Sequence, residues 1–124
     1  MRYSLKIMRR AKIIYKIVEA ADWQRALAAG FYDGSRDDRR DGFIHLSCGT
    51  QLPGTLHRHF AGRTDLVLVA FRTADCGAAL KWETSRGGDL FPHHYGRLDP
   101  ALALWTRPLG DGVPHVLPPL EPET

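Results

Sequence analysis

Asp65-Leu-Val-Leu-Val-Ala-Phe71 is the stretch that decides the fold, because it is the strongest strand signal in the chain. Its apolar run is almost continuous, and such a run is typical of a strand that is buried on both faces. We therefore expect this strand to lie inside the domain, with other elements covering it on both sides.

Shorter elements surround this strand. Residues 13–18 are β-branched and aromatic and predict a first strand. A helix is expected to begin at Ala20 or Asp22, with Asp22 as a candidate N-cap, and to end at Gly30. Short strands are predicted at 43–46 and 80–83, and a last strand or short helix at 101–106. Between them a helix is predicted, because Leu52, Leu56 and Phe60 recur at four-residue steps. Short strands mixed irregularly with helices predict an α+β fold.

The domain organisation follows from length and composition. A chain of 124 residues has the size of one domain. Residues 13–107 are predicted to form a single α+β domain, after a basic N-terminal extension at 1–12 and before a Pro/Gly-rich C-terminal tail at 108–124. Residues 31–41 are polar and predict a loop, in which three arginines and three aspartates (36–41) form a solvated turn rather than an anion site.

The charge distribution argues against a nucleic-acid partner. Six basic and no acidic residues fall within positions 1–16, whereas the remaining chain carries eleven basic and fourteen acidic residues. A short basic end adds only weak, salt-sensitive attraction to phosphate. No apolar run is long enough to span a membrane, and the start of the chain does not have the pattern of a secretory signal. We therefore expect a cytoplasmic protein with no membrane segment and no nucleic-acid partner.

A histidine and a serine share one face of the second predicted strand. His45 lies between Ile44 and Leu46, and strand alternation places Phe43, His45 and Ser47 on the same side. An imidazole and a hydroxyl that point the same way suit the hydroxyl or amide groups of a ligand, and histidine titrates near neutral pH. The alternative stays open that His45 is a core histidine bonded to a backbone carbonyl and that Ser47 caps the following helix.

A second cluster lies in Phe91-Pro-His93-His94-Tyr95-Gly96. Its proline restricts the backbone and its glycine permits a turn, so we expect a loop that presents His93, His94 and Tyr95 together. Such rings suit a flat ligand ring, for example nicotinamide or a nucleobase, and loops often carry binding residues. The pattern fits a packed loop anchored by its aromatic residues equally well.

One glutamate and the absent motifs complete the list of candidates. Glu83 follows Trp82 at a strand end, where a carboxylate has a raised pKa, orients a substrate hydroxyl, or is simply solvated. The six histidines form no His-Glu-x-x-His motif, and His57 and His59 do not converge on a helix, so no metal site is predicted. Dinucleotide-binding glycine, phosphate-loop and nucleophile-elbow motifs are missing, which argues against those enzyme classes.

Several segments together resemble one bacterial family. They are Ile14-Tyr-Lys-Ile17 with Trp23, then Asp41-Gly-Phe-Ile-His-Leu-Ser47 with Gln51, Thr55 and Phe60, then Leu66-Val-Leu68, Leu80-Lys-Trp-Glu83 and Phe91-Pro-His-His-Tyr-Gly96. In this order and spacing they are similar to the bacterial domain-of-unknown-function family 952, from about residue 13 to residue 107.

The resemblance implies a fold similar to the ADP-ribosyltransferase catalytic domain. Such a domain has a small split mixed/antiparallel sheet, two or three helices and a central cleft that grips NAD. The implied partner is a small-molecule nucleotide or metabolite, with NAD expected as a substrate and ADP-ribosyl transfer or hydrolysis as the activity. The alternative is a non-catalytic module on the same scaffold that binds a small metabolite or a protein.

The resemblance also implies roles for particular residues. Lys16 would be the basic first-strand residue that holds the ribose, and Ser47 lies in the second conserved segment of such transferases. Glu83 is the candidate for the glutamate near the attacked ribose carbon. Family members often have histidine where Lys16 stands, and Glu83 comes earlier than the glutamate of well-known transferases. Taken with the residue patterns, the candidates are Glu83 and His45 as catalytic residues and Lys16, Ser47, His93, His94 and Tyr95 as ligand-binding residues.

Overall fold

The architecture is α+β, as the sequence predicts. The structure, a computed structural model, describes residues 11–120. The strands are β1 (Ile13–Glu19), β2 (Ile44–His45), β3 (Leu66–Arg72), β4 (Leu80–Thr84), β5 (Leu90–His94) and β6 (Trp105–Pro108). The helices are α1 (Ala20–Ala29), α2 (Arg36–Asp41), α3 (Leu52–His59) and α4 (Thr73–Cys76). Four short helices in the described residues exceed the two or three that were expected.

The first sheet has the order β1-β3-β6 and is antiparallel throughout. Strand β3 is its centre, and most of that strand is buried, which confirms the prediction from its apolar run. One face of the sheet packs on α1 and the second sheet through a cluster that includes Ile14, Val18 and Phe71. The other face packs on α3 through a cluster that includes Tyr15 and Leu52. By alternation Lys16 shares the face of Ile14 and Val18, so an amine enters an apolar layer.

The second sheet has the order β2-β5-β4 and is also antiparallel. The expectation of a loop at residues 91–96 is therefore wrong, because residues 90–94 form the central strand β5. Proline is rare in central strands since it has no N–H to donate. Here Pro92 accepts a bond from Leu46 N at 3.0 Å, and the return bond is impossible. The two-residue strand β2 ends at this point, which explains how the sheet tolerates the proline.

The two sheets meet where β1 passes Ser47. Tyr15 N donates to Ser47 O at 2.8 Å, and Ser47 N donates to Tyr15 O at 3.0 Å. This pair of bonds joins the edge of the first sheet to the chain that leaves β2. The side chains around Ser47 therefore lie at the junction of both sheets.

Helix α2 corrects the expectation of a solvated loop at residues 31–41. A capping box begins it, because Asp38 N donates to Ser35 Oγ and Ser35 N donates to Asp38 Oδ2. Gly42 ends it with a φ of 89°, a left-handed conformation that favours glycine. Asp38 is buried rather than solvated, with 2% of its surface exposed.

The C-terminal tail and the N-terminal extension differ in how much of them the structure describes. Part of the predicted tail packs on the domain, since Leu109, Leu117 and Leu120 contact the cluster beneath α3 and His115 Nε2 bonds to Arg63 O at 2.7 Å. Most of the predicted basic extension, residues 1–10, lies outside the described residues. Within the described part of the chain, no helix has the length and apolar character needed to cross a membrane.

Candidate functional site

A cavity of about 370 Å³ opens at the junction of the two sheets. This volume lies in the range of small-molecule sites. Its walls come from β1, α2, β2, α3 and β5. Four of the seven candidate residues line it: Lys16, His45, Ser47 and His93. Glu83, His94 and Tyr95 are not among the residues that line it.

A buried lysine forms the floor of this cavity. Lys16 Nζ lies 2.8 Å from Asp38 Oδ2 and donates to His45 O at 2.8 Å. The side chain of Lys16 is 7% exposed. Burying an ammonium is costly unless it is paired and hydrogen-bonded, and this one has both a carboxylate and a carbonyl partner. The lysine therefore ties β1 to α2 and β2 at the base of the cavity.

Asp38 organises the two basic residues around it. Its Oδ1 accepts from His45 N at 3.1 Å and lies 2.6 Å from His45 Nδ1. Its Oδ2 accepts from Ser35 N and faces the lysine. The sequence analysis missed this residue as part of the site. The readable signal was the Ser35-x-x-Asp38 spacing, which is that of a capping box.

The charges of this group are set by competing effects. Burial raises the pKa of Asp38, but the hydrogen bond from His45 and the charge of Lys16 outweigh it and hold that pKa below its usual range. Burial lowers the pKa of Lys16, and Asp38 opposes the change. The carboxylate is thus ionised at neutral pH and accepts from both neighbours.

His45 stands between two carboxylates. Nδ1 faces Asp38, and Nε2 lies 3.0 Å from Asp41 Oδ2. A neutral imidazole donates through only one nitrogen, so both contacts are hydrogen bonds only when the ring is protonated. The side chain is 37% exposed, and one edge of the ring remains open to the cavity.

A pair of hydroxyls lies beside the lysine. Ser47 Oγ is 3.1 Å from Thr55 Oγ1, and Thr55 Oγ1 donates to Gln51 O at 3.1 Å. Since the threonine hydrogen is used on that carbonyl, Ser47 donates to Thr55. Both residues line the cavity, so the pair offers oxygen acceptors to a ligand that carries hydroxyl or amide donors.

Glu83, which is not among the residues that line the cavity, orients the ring of His93. Glu83 Oε1 lies 2.8 Å from His93 Nδ1 and accepts from Tyr95 OH at 2.8 Å. The hydrogen bonds from His93 and Tyr95 lower the pKa of Glu83, so the glutamate is a carboxylate and only accepts. Nδ1 of His93 therefore carries hydrogen. Among residues 11–120 its Nε2 has no hydrogen-bond partner.

The pKa of His93 suits a base. Burial lowers this pKa, and the hydrogen bond to Glu83 opposes the change. The ring is thus neutral at pH 7, with a lone pair on Nε2. Its position is fixed by a stack on Phe43, with centroids 4.0 Å apart, and by an edge contact with His45 at 5.6 Å.

His94 lies on the other side of β5. Successive side chains of a strand point to opposite faces, so His94 points away from His93. It is buried, and its Nδ1 bonds to Gly96 O at 2.9 Å. The structure therefore places His94 with the packing of the second sheet. Tyr95 reaches the site through its bond to Glu83 and through a ring contact with Phe43, with centroids 5.3 Å apart. Within residues 11–120 no group of three or more histidine, cysteine or acidic side chains is arranged to hold a metal ion.

Comparison with known proteins identifies relatives. A family model described as protein of unknown function (DUF952) matches residues 17–106. The crystal structure of protein CC0527 from Caulobacter crescentus is 42% identical, and the match covers 84% of this chain and 91% of that chain with a TM-score of 0.80. The solution NMR structure of CC0527 is similar with a TM-score of 0.74, over 84% of this chain and 90% of that one. No curated protein matches.

Proposed function

The chain belongs to the DUF952 family of proteins of unknown function, and from the chemistry of its cavity we propose that it binds NAD or an ADP-ribose-like nucleotide. We further propose that the site transfers or hydrolyses ADP-ribose, on a fold related to that of the ADP-ribosyltransferases. One observation carries the proposal. Asp38 contacts both Lys16 and His45, and it holds them in the cavity that His93 also lines.

The polar groups of the cavity suit a ribose and an amide. Lys16 Nζ is a rigid donor, Ser47 and Thr55 offer hydroxyl oxygens, and His93 Nε2 is an acceptor. A nicotinamide riboside presents hydroxyls, a ring oxygen and a carboxamide, which require both donors and acceptors. A site whose groups are held by second partners needs little reorganisation on binding.

The base needed for the reaction is His93. In hydrolysis the oxygen of a water bonds to the ribose carbon while the bond to the nicotinamide nitrogen breaks. The electron pair of that bond leaves with nicotinamide, and the proton of the water passes to His93 Nε2. Glu83 acts through His93 in this scheme, because it holds Nδ1 and favours the protonated ring that forms.

A non-catalytic binding module is the second candidate, and the position of Glu83 favours it. Its Oε1 is bonded to both His93 and Tyr95, and the residue is not among those that line the cavity. In a transferase the carboxylate would contact the ribose directly. A module that only binds needs no such contact.

Calorimetry and a product assay separate these functions. NAD and ADP-ribose are titrated into the wild type, His45→Ala and the matched control His57→Ala, whose ring is exposed on α3. We expect saturable binding that is lost in His45→Ala and kept in His57→Ala. Nicotinamide release from NAD by the wild type supports the enzyme, and binding without release supports the module. Absence of binding by the wild type at millimolar ligand contradicts both forms of the nucleotide proposal.

A further inference from the structure

A second cavity of about 490 Å³ adjoins the first. Its walls come from the end of β1, from α1 and α2, and from the segment after α3. The two cavities share six lining residues: Lys16, Ile17, Ser35, Asp37, His59 and Phe60. The cleft therefore continues past the buried lysine, and a ligand seated in the first cavity can extend into the second.

The carboxylates that line the second cavity are paired with arginines. Three acidic residues line it, and each has an arginine partner: Glu19 with Arg63, Asp22 with Arg25, and Asp37 with Arg40. Arg63 also lies over the ring of Phe60, 5.3 Å from its centroid. Arg40 also contacts Asp41, 2.9 Å from Nε to Oδ1, so it neutralises the charge of Asp37 only in part.

In the described part of the chain, two arginines on α2 have no acidic partner. Arg36 and Arg39 both line the second cavity. Arg39 Nη1 donates to Gly34 O at 2.6 Å, which is a neutral acceptor. Over residues 11–120 Arg36 has neither a hydrogen bond nor an ion pair. The described lining of the second cavity carries four cationic side chains (Lys16, Arg36, Arg39 and Arg63) and three acidic ones, so its surplus charge is positive. Arg36 and Arg39 lie three residues apart on one helix.

We propose that the second cavity binds the diphosphate of the nucleotide through Arg36 and Arg39. A guanidinium presents parallel N–H groups that match phosphate oxygens, and such charge-assisted bonds are among the stronger ones. The substrate class is then a diphosphate-bearing nucleotide rather than a nucleoside or free nicotinamide. This inference rests on the proposed function for the first cavity, whereas the anion site itself rests only on the two arginines.

The test pairs a charge-removing variant with a matched control. Arg36→Gln/Arg39→Gln removes the two cations, and Lys12→Gln/Arg72→Gln removes two exposed cations at the opposite end of the first sheet. ADP-ribose, nicotinamide and inorganic pyrophosphate are titrated into both variants and the wild type, with two-dimensional NMR as the readout. Thermal unfolding of each variant shows that it is folded.

We expect ADP-ribose to bind about tenfold or more weakly to Arg36→Gln/Arg39→Gln, since each charge-assisted bond contributes more than a neutral one. Lys12→Gln/Arg72→Gln should match the wild type, and nicotinamide should not distinguish the variants. Equal ADP-ribose affinities in both variants would overturn the inference and leave the proposed function standing. Pyrophosphate shifts that depend on Arg36 and Arg39, without any binding of nicotinamide or ADP-ribose, would support the anion site and overturn the proposed function.

Discussion

Lys16 Nζ lies 2.8 Å from Asp38 Oδ2, and both side chains are almost fully excluded from solvent. The pair joins a strand of the first sheet to a six-residue helix that has few other contacts with the core. Asp38 also holds His45 through the backbone and the ring. The shape of the candidate site therefore depends on one buried carboxylate.

Asp38→Asn should destabilise the protein strongly. Removing one partner of a buried ion pair costs about 3–5 kcal/mol, because the other charge stays buried and unpaired. The matched control is Asp37→Asn, which breaks an exposed pair with Arg40 and should cost less than about 1 kcal/mol. Urea unfolding at pH 7 measures the unfolding free energy of both variants. Equal losses of unfolding free energy would show that Asp38 is not the buried partner of Lys16.

The contribution of Asp38 should disappear in acid. Its pKa is lower in the folded protein than in the unfolded chain, so the unfolded chain binds more protons as the pH falls. The difference in unfolding free energy between wild type and Asp38→Asn is then expected to shrink as the pH drops below about 5. Urea midpoints at several pH values measure it. If the difference in unfolding free energy between the wild type and Asp38→Asn stays constant or grows in acid, the ionised form of Asp38 is not the form that stabilises the fold.

His93 should titrate below the usual histidine range. Burial lowers its pKa, and Glu83 counteracts that effect. An NMR titration of the ring is expected to give a midpoint below about 6.5, which falls further in Glu83→Gln. Glu19→Gln, which removes a carboxylate from another surface, serves as the control and should leave the midpoint unchanged. A rise of the midpoint in Glu83→Gln would contradict the pairing.

The two cysteines should differ in reactivity. Burial raises the pKa of Cys76 to about 11, so its reactive thiolate is scarce near pH 8. Cys48 is less buried. Iodoacetamide followed by peptide mass spectrometry should show that Cys48 is modified first in the folded protein, and that both react alike in urea. Equal rates in the folded state would contradict the burial of Cys76.

The sequence predicts the parts of this fold that local pattern controls. Strand β3 follows from its apolar run, and helix α1 ends at Gly30, whose φ of 87° is left-handed. The alternation around His45 predicts that His45 and Ser47 share a face, and both residues line one cavity. These features depend on neighbours in sequence, so a single chain suffices to predict them.

The remaining features depend on distant partners. Asp38 sits in a run of charges without apolar period, and its burial requires a lysine from β1, twenty-two residues earlier. Pro92 argues for a loop, yet a strand tolerates it where its neighbour β2 ends. The distance between Glu83 and the cavity depends on pairing between β4 and β5, which no local signal specifies.

The most direct test of a nucleotide site in the first cavity is a two-dimensional NMR titration of the wild type and His45→Ala with NAD. We expect saturable shifts in the wild type that include the amides of His45, Ser47 and His93, and loss of those shifts in the variant. Absence of shifts at millimolar NAD, or identical shifts in His45→Ala, would contradict a nucleotide site at the junction of the two sheets.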